Sequence, residues 1–273
     1  MNAELPPISN RPLYVYRVFA KWLSFFVFGL MTLILLTLIF PPMRLFFHPR
    51  EKFMGYGRRF ISASMRFFVS FMHFLRAVDF EAENREFYRS LSSKIVAANH
   101  PSLLDVVMLL SLIPNADCIV NAHLTHNILR GVVRQLYILN SLDFEDLSRA
   151  CTESLAKGNC LIIFPEGTRT PRSWKVKLKR GVAHISLVSG CDIIPVHIGG
   201  TDKYGLGKKD PWTGFNPTER YVYRIEMKSE IHPEKYRELS TSLAARAIMR
   251  DLSGALFPTL QNTDEQTEDG EYK

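Results

Sequence analysis

The chain has 273 residues, a formal net charge of +7, and 47% hydrophobic against 22% charged residues. That balance excludes a mostly disordered chain and allows one large domain or two small ones. Cys118, Cys151, Cys160 and Cys191 form no CxxC pair and no short ladder, which argues against a disulfide scaffold or zinc ribbon and fits reduced thiols.

The first element is an uncharged run of nineteen residues, Trp22 to Phe40, between Lys21 and Pro41-Pro42. It is just long enough for a hydrocarbon core of ~30 Å. No small-residue cleavage site follows it, so an uncleaved membrane attachment is expected rather than a signal peptide. A second apolar stretch, Phe60 to Leu75, carries Ser62, Arg66, Ser70 and His73 at helical spacing. Such a helix suits the bilayer interface, a hairpin with its neighbour, or a buried core. Arg58, Arg59 and Arg76 flank it, where anionic headgroups would be met. Three basic residues precede the span (Arg11, Arg17, Lys21) and five follow it up to residue 60 (Arg44, Arg50, Lys52, Arg58, Arg59), which favours a body on the cytoplasmic side of an inner membrane.

After residue 82 short apolar runs alternate with helical stretches. Strands are expected at 94–98, 117–121, 136–139, 159–164, 192–198 and 221–228, with helices at 102–112, 147–157, 179–188 and 241–256. The run IIPVHI reads as a strand covered on both faces, and YVYRIEMK as a half-exposed edge strand. The fold class is therefore α/β: one domain with a mostly parallel or mixed central sheet flanked by helices. Residues 1–82 are assigned to a membrane-anchoring helical region, 83–260 to the functional domain and 261–273 to an acidic disordered tail. That tail carries a net −4, so the rest of the chain holds +11. A surplus of this size suits a membrane surface or a phosphorylated ligand. Nucleic acid is not expected, because the aromatics cluster in the apolar N-terminal segments and no binding-module signature appears.

Two constellations carry chemistry. Asn99-His100-Pro101-Ser102-Leu103-Leu104-Asp105 follows the strand 94–98, where open α/β sheets place ligands. His100 could take a proton from an alcohol, with Asp105 orienting the ring. Ser102-x-x-Asp105 is equally a capping-box variant, so the same residues also suit a plain helix start. The second, Phe164-Pro165-Glu166-Gly167-Thr168-Arg169-Thr170, follows the strand 159–164 and opens a basic stretch with Arg172, Lys175, Lys177, Lys179 and Arg180. Gly167 permits close backbone approach and Arg169 offers a planar fork for phosphate. His123-x-x-His126 lacks a third ligand, so no metal is expected. His184 and His197 sit in apolar patterns and are expected to be packed.

NHPSLLD resembles the histidine-x4-aspartate motif of the glycerolipid acyltransferases, the lysophosphatidic acid acyltransferase (1-acylglycerol-3-phosphate O-acyltransferase) family. FPEGTRT resembles that family's third motif and IIPVHI its fourth, in the same order, over about residues 70 to 210. The resemblance implies transfer of a fatty acyl group from a thioester, acyl-CoA or acyl-ACP (acyl carrier protein), to a lysolipid hydroxyl in phospholipid biosynthesis. No other cofactor is implied. His100 would be the general base and Asp105 its orienting carboxylate, with Glu166, Gly167, Thr168 and Arg169 binding the acceptor headgroup. No GxSxG elbow is present and no cysteine adjoins either motif, in keeping with direct attack and no acyl-enzyme. The second motif departs from the family: Asn121 stands where a lysine is usual, and no arginine follows Leu142. 1-Acyl-glycerol-3-phosphate is the default acceptor. A phosphate-free acceptor such as an amino-acid lysolipid is the alternative, and a non-catalytic membrane lipid-binding protein is the reading from another class.

Overall fold

The computed structural model describes residues 5–48, 50–120, 138–139, 143–171 and 177–257. The first helix, α1 (Arg11–Ile34), starts at Asn10, whose side chain accepts the Leu13 N–H at 3.0 Å. It passes through a π-helical turn, Leu35–Ile39, into α2 (Phe40–Phe46). The wider turn lies just before Pro41-Pro42, whose rings crowd the carbonyls four residues earlier and cannot donate to them. Together they make one apolar helix of 36 residues, long enough by length and composition to cross a membrane.

Helix α3 (Arg50–Phe74) returns antiparallel to it. Phe28 meets Phe68, Phe40 meets Phe53, and Phe47 meets Tyr56 at 4.5–6.2 Å between ring centroids, while the Tyr16 hydroxyl donates to the Leu75 carbonyl. The buried stripe of α3 is Phe53, Gly57, Ile61, Met65, Phe68 and Met72, a repeat of three to four residues. It packs on α1 and, beyond the short helix α4 (Arg85–Ser90) in the chain, on α5 (Asp105–Leu112) in the body.

Two flanking cations are therefore not where the sequence put them. Arg58 forms a bidentate pair with Asp117 (Nε–Oδ1 2.6 Å, Nη2–Oδ2 2.9 Å), and that carboxylate is buried. Lys21 is also buried and donates to the carbonyls of Trp212 and Gly214. A cation beside an apolar run has the same local appearance whether it meets a headgroup or a buried acceptor, and tertiary packing chose the second.

A strand not anticipated from the sequence, β1 (Val78–Ala82), follows α3. Its outward Asp79 and Glu81 disguise it, and they pair with Arg220 and Arg224. The remaining strands are β2 (Ile95–Ala98), β3 (Ala116–Val120), β4 (Ile138–Leu139), β5 (Cys160–Ile163), β6 (Ile193–Gly200) and β7 (Tyr221–Met227). They form one seven-stranded sheet in the order β1-β7-β6-β2-β5-β3-β4. All neighbours are parallel except β6 and β7. Strand β7 is thus covered by β1 and is not an edge, a correction to the sequence reading.

The sheet has a core on each face. Val96 and Ala98 of β2 face the N-terminal helices and α5. Ile95 and Ala97 face α6 (Phe144–Ala156), α7 (Gly181–Ser189) and α8 (Thr241–Leu256). This double burial explains the unbroken apolar character of the central strands. The last helix spans the range the sequence predicts. Helix α6 begins earlier, where the Asp143 side chain accepts the Asp146 N–H. The acidic tail, His123, His126, Asn121, Arg172 and Lys175 lie outside the described residues.

Candidate active site

Strands β2 and β5 are neighbours, so the segments leaving their carboxyl ends meet. Asn99 fixes the point of departure: its side chain accepts the Ile198 N–H at 2.6 Å and donates to the Ile198 carbonyl at 3.1 Å. The pairing of β2 with β6 is prolonged by one side chain, and His100 is turned out of the sheet at a defined place.

The backbone of His100 is then clamped by the loop after β5. Its N–H donates to Glu166 Oε1 (2.9 Å) and Thr170 Oγ1 (3.2 Å), and its carbonyl accepts the Thr170 N–H (2.7 Å). Its ring stacks on Phe164 at 4.2 Å between centroids. His100 Nδ1 lies 2.8 Å from Asp105 Oδ2, and the Asp105 side chain has no exposed surface. An ionised carboxylate only accepts, so Nδ1 carries the proton and the Nε2 lone pair is left for an incoming group.

Asp105 also takes the Ser102 N–H on Oδ2 (2.7 Å) and the Ser102 hydroxyl on Oδ1 (2.6 Å). The capping-box contacts and the dyad therefore coexist. The helix begins at Asp105 rather than Ser102, because Ser102 is held in the turn.

The second constellation divides by role. Glu166 is buried, with Oε1 given to His100 and to the Thr170 hydroxyl (2.7 Å), and Oε2 meets no donor among the described residues. Burial raises the pKa of this carboxyl, partly offset by the bonds from Thr170 and His100. Gly167 has φ +66° and lies under the Lys179 side chain. Thr168 is exposed. Arg169 is half-buried, and Nη1 is fixed by the carbonyls of Leu206 and Gly207, both at 2.9 Å. Its Nε and Nη2 meet no partner among the described residues, so the held fork keeps donors of the kind that pair with a carboxylate or phosphate.

Sequence reasoning missed Thr170, Asn99, Tyr223 and Lys203. Thr170 and Asn99 stood inside the quoted motifs. Tyr223, whose hydroxyl is 2.7 Å from Ser102 Oγ, showed only as an inward position of an alternating strand. The half-buried His184 and His197 do pack, against the Phe144 ring and the Leu256 carbonyl. Asp192, Glu230 and His232 have metal-compatible spacing, but the Lys94 ammonium already bridges the two carboxylates. A groove of about 450 Å³ between α6 and α7, lined by Phe144, Arg149 and His184 among others, contains none of the motif residues.

The protein-family model described as Acyltransferase matches residues 79–199. A 1-acyl-sn-glycerol-3-phosphate acyltransferase of Cocos nucifera is 31% identical over 129 residues, covering 44% of this chain and 41% of that relative. The chain thus aligns with less than half the length of that curated relative. The crystal structure of the 1-acyl-sn-glycerophosphate (LPA) acyltransferase PlsC from Thermotoga maritima superposes with a TM-score of 0.60. At 21% identity it covers 87% of this chain and 96% of its own, which establishes a shared fold.

Proposed function

We propose that this chain, whose residues 79–199 match the family model described as Acyltransferase, moves a fatty acyl group from a thioester to the free hydroxyl of a lysolipid. The observation that carries this reading is the His100–Asp105 pair, with Nδ1 engaged at 2.8 Å and Nε2 open beside the loop that carries Arg169. His100 Nε2 takes the hydroxyl proton as the oxygen attacks the thioester carbonyl carbon. The new C–O bond forms, the C–S bond breaks, and the imidazolium returns its proton to the leaving thiolate. Asp105 holds the tautomer and balances the imidazolium charge. A general base supplies ~10²–10⁴ in rate, and positioning of the two substrates supplies much of the rest.

The acceptor best suited to the site is 1-acyl-glycerol-3-phosphate, with its phosphate on the free donors of Arg169 and near the Lys179 ammonium over Gly167. Both similar proteins are named for that acceptor. The second-motif substitution, Asn121 for lysine, favours the phosphate-free acceptor as the second reading. The donor is an acyl-CoA or acyl-ACP thioester, and the proton relay needs no other cofactor.

The protein is read as membrane-associated. On α1, Val15, Phe19, Trp22, Phe26, Leu30 and Leu33 form an exposed apolar row, and Phe60, Phe67 and Phe74 continue it on α3. Because α3 doubles back and is bolted to the body by Arg58, the hairpin suits one leaflet, with both ends on the cytoplasmic side.

The test offers one labelled thioester with lysophosphatidic acid, lysophospholipids and an amino-acid lysolipid. We expect transfer to lysophosphatidic acid, and loss of transfer in His100→Ala with an unchanged unfolding midpoint. Wild-type turnover in that variant would sink the mechanism, and transfer only to a phosphate-free acceptor would select the second reading. Lipid binding without turnover on any acceptor would identify a binding protein instead.

A further inference from the structure

Behind Asp105, on the side away from His100, lies a buried polar chain to which neither motif assigns a role. Ser102 spends its single hydroxyl proton on Asp105 Oδ1 (2.6 Å). Its 2.7 Å contact with Tyr223 therefore has the phenol as donor, and Ser102 Oγ also accepts the Leu104 N–H at 3.2 Å. Tyr223 projects from β7, fully buried, and burial keeps its phenol protonated far above neutral pH.

The other face of this tyrosine is covered by an ammonium. Lys203 Nζ sits 4.7 Å from the Tyr223 ring centroid and donates to the carbonyls of Gly199 (3.2 Å), Val222 (2.8 Å) and Thr201. Three carbonyls use all three N–H bonds, and only 6% of the residue is exposed. Lys203 is thus a caged ammonium with no proton left for substrate; burial lowers its pKa to about 8, and the field of Asp105 partly offsets that and holds the charge at neutral pH. Such a cation is costly to bury unless a nearby charge benefits. Asp105 is that charge. Its direct partners are His100 Nδ1 and the two donors of Ser102, none of them a permanent charge.

We propose that Lys203 and Tyr223 are positioning residues for the reaction: through Ser102 they keep Asp105 ionised and aimed at His100 while the imidazole gains and loses its proton. The relay is linear: Tyr223 acts on Ser102, Ser102 on Asp105, and Lys203 supplies the positive charge behind them at neutral pH. This inference rests on the His100–Asp105 reading of the site.

Tyr223→Phe removes one hydroxyl and leaves the ring under Lys203. The expected result is a fall in kcat of about tenfold with KM for both substrates and the unfolding midpoint unchanged. Ser102→Ala is the intermediate link, so the Ser102→Ala/Tyr223→Phe double variant should be no slower than Ser102→Ala alone. Lys203→Met removes the charge, and a nearby cation disfavours an imidazolium. The acid limb of kcat/KM, which reports His100, should therefore move up by about half a pH unit or more. The other titrating or charged groups that bear on this cluster are Glu166 from the β5 loop, Tyr221 on β7, and Asp202 and Glu219 beside it. All are retained in each variant, so the difference belongs to Lys203.

A Tyr223→Phe enzyme with wild-type kcat, or a double variant whose losses multiply, overturns the proposal. So does a folded Lys203→Met enzyme with an unmoved acid limb. If Lys203→Met does not fold, the Tyr223→Phe cycle decides the matter alone. An active His100→Ala enzyme would instead defeat the dyad reading, so the two failures are distinguishable.

Discussion

Glu166 offers a sharp test of the site, because the sequence assigns it to the acceptor headgroup and the structure occupies its Oε1 with His100 N–H and the Thr170 hydroxyl. Glu166→Ala leaves two donors beside the dyad without their acceptor, each worth ~1–3 kcal/mol when buried. Thr170 Oγ1 still takes part of the His100 N–H, so a stability loss of about 2–4 kcal/mol is expected from the same bond values. The loosened His100 should lower kcat by up to ~10²-fold, as a misplacement of about 1 Å can do. Glu166→Gln keeps the oxygen at Oε1 and removes only the charge, so kcat should stay within a few-fold of wild type. The pH dependence follows from the raised pKa of Glu166. The native state holds this proton more tightly than the unfolded chain, so its stabilising contribution is complete below about pH 4.5 and is lost as pH rises through the native value. Relative to wild type, Glu166→Gln should therefore gain stability as pH rises above about 4.5, as the buried charge develops. Urea unfolding across that range and steady-state kinetics on both variants would measure these quantities. A Glu166→Gln enzyme with intact kcat and a tenfold higher acceptor KM would refute the clamp and return Glu166 to the headgroup.

Arg58→Met strands the buried Asp117 carboxylate, which among the described residues only Ser154 would then bond, and should cost ~3–5 kcal/mol in urea unfolding. A loss below about 1 kcal/mol would mean that the pair behaves as a surface bridge. Gly167→Ala combines a left-handed backbone with a Cβ 2.7 Å from the Lys179 Cε and Nζ. It should push that side chain aside and raise KM several-fold for a phosphate acceptor, leaving a phosphate-free acceptor unaffected. Phe19→Ser and Phe67→Ser each remove an exposed apolar ring, worth ~1.5–3 kcal/mol when buried. Each should weaken vesicle binding about tenfold or more in co-sedimentation, and unchanged binding would show that this face does not meet lipid.

The legible part of the site was the part that is local in sequence. His100 and Asp105 are five residues apart across one strand-to-helix turn, and the β5 loop brings Glu166 to Thr170 as one piece, so chain order alone groups them. Lys203 and Tyr223 lie more than a hundred residues from Ser102. They reach it only because β7 and β6 fold back antiparallel beside β2. No periodicity in the sequence encodes that neighbourhood. Strand β1 escaped notice for a related reason. Asp79 and Glu81 are ordinary strand residues once Arg220 and Arg224 stand opposite them, and those partners come from the far end of the chain.

The same nonlocality decides what the N-terminal helices are. A tethered anchor would contribute apolar length and little else, but α1 takes part in the body's own hydrogen bonding. The Tyr14 hydroxyl accepts the Phe215 N–H, and Lys21 holds the carbonyls of Trp212 and Gly214. Trp212 itself is exposed and packs on Trp22 and Phe25 of α1. Earlier in the same loop, the Leu206 carbonyl accepts the Leu103 N–H and one Arg169 N–H, and Gly207 accepts another. One segment therefore touches the apolar helix at one end, and Arg169 and the turn after His100 at the other. If the apolar row meets a bilayer, the depth of Arg169 below or above the headgroups is set by these bonds rather than by a flexible linker. A lysolipid also has its phosphate and its apolar tail at a fixed separation. On the proposed reading, an arginine and a membrane face joined through ten residues of hydrogen-bonded loop match that separation without withdrawing the lysolipid from the bilayer.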